Sequence, residues 1–445
     1  METPLYTHLL TYNNQNRISF AMPGHKNGRG LPQRLIDCDV TELAATEDLH
    51  SPGEIIKKSQ RLIAQKYGAK KSYIITGGST AAIQAMICAA LKPGEILLSS
   101  PDCHMSVINT CAILGIQVMF TSAFEENNGH YTHLNEEILK SELTENPKIK
   151  AVIVVSPDYY GMSKDIGRLS QICHENNIPL LTDQAHGAHF MVSDIFPESA
   201  CRLGADCTAV SVHKTLNALT GGAFLLVNSQ IINEERLHNA LKMFQTSSPS
   251  YVIAASAEAA ALMVSAKAWE NTVRLCEDLK KHSPLEYLQN DDSTRLVFYT
   301  QGMSGFEAEK ILADKFGIDI EMSDLLSIVL IATPSNTSED FERLYEALSF
   351  LKSEKSTMRD YIKIDIPKGV FSPKDGLWCE TERVNINNAL KRIAAQTVTL
   401  YPPGVPIICG GAEISENMIN LILRLKKSGA KITGMDDLCI LVRKK

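Results

Sequence analysis

Aromatic residues are scarce in this chain, 6% of its 445 positions, and positive charge is not in excess. Lysine and arginine number 44 against 51 aspartates and glutamates, a formal net charge of −7. Without a basic stripe interleaved with aromatics, nucleic acid is excluded as the main partner. Long apolar runs are missing too. The most apolar stretch, Tyr251 to Ala266, is interrupted by Glu258 and is too short to span a bilayer comfortably. Met1 to Asn14 has neither a basic n-region nor an apolar h-region, so no secretory leader is expected. The eleven cysteines include no C-x-x-C pair and no cluster with histidine, which argues against a disulfide framework and against a metal centre. A cytoplasmic protein with no membrane attachment is the expectation.

Hydrophobic residues at 44% and charged residues at 21% describe a well-buried globular chain. Its length allows about two to three domains at roughly 150 residues each. The expected division is an irregular arm over 1–65, a large domain over 66–283, a small α/β domain over 284–357 and a C-terminal domain over 358–445. Within the large domain one unit recurs: a short apolar run, then small or polar residues, then a helical pattern. The runs are Ser72–Thr76, Glu95–Ser99, Lys150–Ser156, Ile178–Thr182, Thr208–Ser211 and Ala223–Val227. Strands alternating with helices predict an α/β fold with a mostly parallel sheet covered on both faces.

Ligands of such sheets sit beyond the carboxyl ends of the strands. Those ends carry Gly77-Gly-Ser-Thr80, Pro101-Asp-Cys-His104, Pro157-Asp-Tyr-Tyr-Gly161, Asp183-Gln-Ala-His186 and His213-Lys214. Polar groups from five successive strands converge on one crevice, which is the layout of an enzyme.

Each group has a chemistry. Thr76-Gly-Gly-Ser-Thr80 opens a helical pattern, so its hydroxyls and free N–H groups suit a single phosphate. Neither G-x-x-x-x-G-K-[ST] nor G-x-G-x-x-G is present, so neither a nucleoside triphosphate nor a dinucleotide is supported. Asp183 could hold a metal, orient a histidine or pair with a protonated ring nitrogen. His186 and His189 beside one aspartate make only a thin case for a metal. Lys214 follows a strand that should be buried, and a desolvated lysine is an amine nucleophile toward an aldehyde. A phosphate cradle, an acid for a ring nitrogen and a Schiff-base lysine are together what pyridoxal 5'-phosphate needs. His104 is a candidate to stack on its ring.

With these residues in place, the chain resembles the bacterial ornithine/lysine/arginine decarboxylases of fold type I, in their short form. Ser211-Val-His-Lys-Thr-Leu216 looks like their S-x-H-K lysine motif. The likeness extends through Met22-Pro-Gly-His-Lys-Asn-Gly28, Asp39-Val-Thr-Glu-Leu43, Pro157 to Gly161, Asp183 to His189, Thr246-Ser-Ser-Pro-Ser-Tyr251 and Tyr401-Pro-Pro-Gly-Val-Pro406. It implies a seven-stranded-type central sheet and a homodimer or higher homo-oligomer with shared sites. Lys214 would carry the cofactor and Asp183 would bind its ring nitrogen, with His104 and Ala185 on the two ring faces. Ser79, Thr80, Ser211 and His213 would hold the phosphate, joined by Thr246 of the neighbouring subunit, and His186 would lie near the cofactor oxygen. The implied reaction is decarboxylation of a basic amino acid, with arginine slightly ahead of lysine and ornithine. Another fold type I reaction (aminotransferase or lyase) and a catalytically impaired regulatory homologue are the alternatives. Three positions depart from the family pattern: Met105 after the stacking histidine, Gln184 after Asp183, and Glu413, one residue late after the proline turn. Glu413 is still the nearest candidate for the substrate's distal cation, with Glu42, Glu47 or Asp48 in reserve.

Overall fold

A computed structural model describes residues 18–26, 28–127, 130–353, 365–402 and 404–445. Met1 to Asn14, Asn27, Pro403 and the expected boundary at 357/358 lie outside the described residues. Eight strands form the central sheet: β1 (Lys71–Ile75), β2 (Ile96–Ser99), β3 (Gln117–Phe120), β4 (Ile149–Val155), β5 (Leu180–Asp183), β6 (Cys207–Ser211), β7 (Ala223–Val227) and β8 (Val370–Phe371). They lie side by side in the order β8-β3-β2-β4-β5-β6-β7-β1. From β3 to β6 every pairing is parallel, whereas β7 runs antiparallel to both β6 and β1. The six apolar runs read from the sequence all become strands of this sheet. β3 was not among them, and neither was β8, which extends the expected seven-stranded pattern. That eighth strand is only a two-residue segment from beyond the small domain, and it pairs antiparallel with β3. Phe371 packs there against Phe120, ring centroids 5.7 Å apart.

The expectation of an irregular arm over 1–65 needs correcting at two places. Ile18–Phe20 is a strand, parallel to Ile318–Ile320 of the small domain, and Phe20 meets Phe341 edge-on. Glu54–Tyr67 is an amphipathic helix, α1, that buries Ile56, Ile63, Ala64 and Tyr67. Apolar residues at helical spacing carry this signal, but Pro52 and Gly53 immediately before them read as a loop. Gly68 ends the helix at φ 71°, a left-handed conformation that favours glycine.

Helix α2 (Gly78–Ala90) buries Ala81, Ala82, Ile83, Ala85, Met86, Ile87 and Ala89, nearly its whole circumference. A helix apolar all round belongs inside, and α2 packs on the sheet among Leu97, Ile153, Leu181 and Leu225. In the small domain, Arg295–Tyr299 and Met322–Ser323 flank Ser327–Ile331 in an antiparallel sheet. The last segment has its own core of Ile386, Val398, Ile408, Ile422 and Val442. No single described helix is long and apolar enough to cross a membrane. The apolar helix Tyr251–Leu262 is followed, after a bend of 79°, by Ala266–His282. All eleven cysteines are free thiols.

Register decides what meets at the crevice. Asp183 lies opposite Val155 on one side and Ala209 on the other. Ala223 lies between Ser211 and Ile75, so the ends of β6 and β1 are brought alongside each other across one strand.

Candidate active site

The turn after β1 reaches α2 through Gly78, whose φ of 74° is a glycine conformation. No side chain caps the helix, and a Cβ on Gly78 would meet nothing within 4 Å. The Gly78 N–H donates to the Gly221 carbonyl at 2.8 Å, and the N–H groups that follow it on the first turn, with the positive dipole end of α2, make this helix start suited to an anion. Ser211 Oγ donates to Ser79 Oγ at 2.7 Å, a pairing that follows from the register of β6, β7 and β1. Thr80 is exposed on the same turn. His213 Nδ1 lies 3.1 Å from the Gly222 carbonyl, and burial, with Lys214 nearby, pushes its pKa down to about 4. Thr246 stands apart: it is exposed, its carbonyl lies 2.7 Å from His50 Nε2, and its hydroxyl is near Ser248.

Asp183 ends β5 with 4% of its surface exposed. Its Oδ1 accepts the Ala185 N–H at 3.0 Å. Burial raises its pKa, and the charge of Lys214 works in the opposite direction. A buried carboxylate in this condition gains from a cation placed against it. Gln184 turns away: its amide donates to the Gly187 carbonyl at 2.9 Å and accepts from Ala200 N–H at 2.7 Å. The glutamine is a loop brace. His104 caps α3 (Met105–Leu114), its Nδ1 accepting from Ser106 N–H at 3.1 Å. Burial pushes its pKa down to about 4, so the ring is neutral and suited to stacking. The C-terminal domain touches this ring directly: Met105 N–H donates to the Gly404 carbonyl, and a Cβ on Gly404 would lie 2.8 Å from His104 Nε2.

Lys214 sits in the short helix Val212–Thr215 that follows β6. Its Nζ is 3.0 Å from His186 Nε2 and 5.3 Å from the centre of the Tyr159 ring. Burial lowers the lysine pKa, while Asp183 and Glu321 pull it back up. His186 is 2% exposed and its pKa is held well below the usual value by burial and by Lys214. Its ring packs on Tyr159 at 4.1 Å between centroids. His189, the other histidine of this loop, is not aimed at the amine. It stacks on Trp269 and pairs with Asp292 Oδ1 at 3.2 Å.

Sequence reasoning missed Arg295, Glu321 and Lys164, and assigned no role to Lys26 and Asp102, which stand with them behind this row. Arg295 opens a small-domain strand, is fully buried, and its Nη2 reaches His186 Nδ1 at 3.4 Å. Glu321 accepts the Met22 N–H at 2.9 Å, and burial raises its pKa. Lys26 donates to the Ala21 carbonyl at 2.6 Å, and burial pulls its pKa down to about 7. Asp102 pairs at 2.6 Å with Lys164, whose side chain is wholly buried. The signals were charged residues inside apolar strands, such as Arg295 in R-L-V-F-Y, which are costly unless paired. A cavity of about 320 Å³ lies behind Tyr159, where the three domains meet, lined by Asp102, Asp158, Asp324, Leu400 and Val405 among others.

Glu413 is exposed in the C-terminal domain, between buried Ala412 and Ile414. Among the alternatives, Glu47 accepts both Ile55 and Ile56 N–H at 2.9 Å and so caps α1, and Asp48 accepts from His50 N–H.

Comparison with known proteins agrees over nearly the whole chain. Residues 3–294 match the model of the Orn/Lys/Arg decarboxylase major domain, and residues 373–438 match that of the C-terminal domain. The chain is 30% identical to an arginine decarboxylase of Bacillus subtilis, covering 98% of this chain and 96% of the relative. An arginine decarboxylase of Bacillus anthracis is also 30% identical, covering 99% and 96%. Among solved structures, the lysine decarboxylase of Francisella novicida superposes with a TM-score of 0.80 at 17% identity, covering 99% of this chain and 81% of that one. The constitutive lysine decarboxylase of E. coli gives 0.77 at 17% identity, covering 99% and 82%.

Proposed function

The chain belongs to the Orn/Lys/Arg decarboxylase family, and we propose that it removes the α-carboxylate of a basic amino acid, arginine first, with pyridoxal 5'-phosphate as cofactor. One observation carries the reading: Lys214 Nζ, its pKa lowered by burial, lies at the crevice 3.0 Å from His186. The residues present fit the cofactor. The start of α2 with Ser79 and Ser211 suits a phosphate, buried Asp183, its pKa raised by burial, gains from a cation set against it, and Lys214 offers an amine.

When bound, pyridoxal phosphate supplies an aldehyde carbon for exchange of amines and a π system that accepts the electron pair left by departing CO₂. The rest belongs to the protein. Ser79, Thr80, Ser211 and the α2 dipole would hold the phosphate and so fix the position of the ring. Asp183 would keep the ring nitrogen protonated by holding a proton against its own carboxylate. His104 and Ala185 would confine the ring between them. Lys214 would offer the amine that holds the cofactor, and its Nζ would carry a proton to or from the reacting carbon. Orientation and fixed charge supply most of the acceleration in such a site.

Arginine is favoured because the two Bacillus relatives described above are arginine decarboxylases. A guanidinium also gains more than an ammonium from a planar carboxylate partner; Glu413 of one subunit is the proposed partner. A homodimer with shared sites is part of the reading, with Thr246 contributed across the boundary. Eleven unpaired thiols support a reducing, cytoplasmic setting. The test is direct: the purified chain with pyridoxal phosphate is given arginine, lysine or ornithine separately, and products are identified by mass. Release of CO₂ with agmatine as the fastest product is expected. Conversion of none of the three would overturn the reading.

A further inference from the structure

We propose that Arg295 is a positioning residue that fixes the tautomer of His186, so that His186 Nε2 carries the hydrogen and donates it to the neutral amine of Lys214. A guanidinium has only N–H donors and does not lose its proton in a protein. Arg295 Nη2 lies 3.4 Å from His186 Nδ1 and 3.5 Å from the His186 carbonyl, so both atoms must accept. A neutral imidazole that accepts at Nδ1 carries its hydrogen on Nε2. The partner 3.0 Å from Nε2 is Lys214 Nζ, which must then present a lone pair rather than a hydrogen. A lysine held as an acceptor is a free amine, the form that attacks a carbonyl carbon.

Arg295 is rigidly placed for this task. Its backbone lies in the small-domain sheet opposite Ile331, and its carbonyl accepts from Asn290 Nδ2 at 2.9 Å. Gly161, at φ 84°, packs so closely that a Cβ there would come within 2.8 Å of Arg295 Cβ. The guanidinium spends little on other bonds: Nε and Nη1 are buried without a hydrogen-bond partner. Charged and titratable groups around the pair are Lys214, Lys26, His104, His213, Tyr159, Asp183, Asp292 and Glu321. Glu321, with Oε1 unpartnered, offsets the positive charge of Arg295 and Lys26. The proposal rests on the reading of Lys214 as the reacting amine, but the tautomer can be measured without any turnover.

The experiment labels the full chain with ¹⁵N-histidine and reads the long-range ¹⁵N–¹H correlations of each ring without added cofactor. His186→Asn assigns the His186 signals by their disappearance. The wild type should show His186 neutral with its hydrogen on Nε2. Arg295→Lys, still donor-only, should keep that pattern, and Arg295→Met should shift the population toward Nδ1–H. In the same samples, capture of pyridoxal phosphate at neutral pH, followed by absorbance, should slow roughly tenfold or more in Arg295→Met and recover in Arg295→Lys. A role through charge alone would slow capture without moving the tautomer. An Nδ1–H signal in the wild type, or an unchanged tautomer in Arg295→Met, overturns the proposal. If Arg295→Met fails to fold, the wild-type and Arg295→Lys spectra still decide, because a donor-only partner demands Nε2–H in both. Failure of decarboxylation with the predicted tautomer intact would count against the function and not against Arg295.

Discussion

Replacing Asp183 by asparagine should stabilise the empty protein and cripple the loaded one. Asparagine keeps the oxygen that accepts the Ala185 N–H at 3.0 Å, so the loop after β5 retains its shape. What is lost is one buried negative charge. In the empty protein that charge is a burden, because burial raises the Asp183 pKa. A carboxyl whose folded pKa lies above its unfolded value of about 3.9 costs stability once it ionises, and the cost grows as pH rises from there through the folded pKa. At neutral pH, Asp183→Asn should therefore melt at or above the wild-type temperature without cofactor. With a cation about 3 Å away and an effective dielectric of about 20, the charge would contribute roughly 5–6 kcal/mol of attraction. The desolvation already visible in the raised pKa, and the dipole left on asparagine, reduce the difference. A loss of about 3–4 kcal/mol remains, or roughly 10²–10³ in turnover. The assay pairs thermal melts with and without pyridoxal phosphate with CO₂ release under saturating substrate. Turnover within a few-fold of wild type, or a clear drop in the cofactor-free melting temperature, would refute this account of Asp183.

Gly404→Ala should weaken cofactor retention and shift the absorbance of the bound cofactor, because its Cβ would lie 2.8 Å from His104 Nε2 at a φ of 82°; dialysis followed by a spectrum checks it. Lys164→Met strands Asp102 beside the loop that carries His104 and should cost about 3–5 kcal/mol, read from the urea midpoint of the cofactor-free protein. Because burial lowers the Lys214 pKa, loading of pyridoxal phosphate should reach half its maximal rate below the ordinary lysine value of about 10.4, and Lys214→Ala should show neither loading nor turnover. If sites are shared, mixing inactive Lys214→Ala with a Thr246 variant disabled in phosphate binding should restore activity after subunit exchange; exchange without recovery would remove Thr246 from the partner's site.

The parts of this site that the sequence discloses are those that follow local rules. A strand's apolar run and the polar residues just past its end lie within a few positions, so Ser79, His104, Asp183, His186 and Lys214 could be gathered from order alone. β8 escaped because a two-residue edge strand has too few residues to establish a pattern, and β3, whose residues alternate between half-buried and buried, lacks the continuous apolar run by which its neighbours are read. Helix α1 escaped because its breakers come first. Arg295 and Glu321 escaped for a different reason. Each lies in or beside an apolar strand of the small domain, where local pattern marks them only as odd residues; the meaning of Arg295 depends on a contact 109 positions away at His186, and that of Glu321 on one 299 positions away at Met22. The same holds for Gly404 against His104 and for Lys164 against Asp102. What the three cases share is a pairing between segments distant in sequence that brings a charge or a close approach up behind a residue at a strand end. The strand ends determine which groups face the crevice, and these distant contacts set the protonation and orientation in which those groups are held. A substitution behind the row should therefore alter the chemistry of Lys214 or His104 while leaving every residue at the strand ends in place.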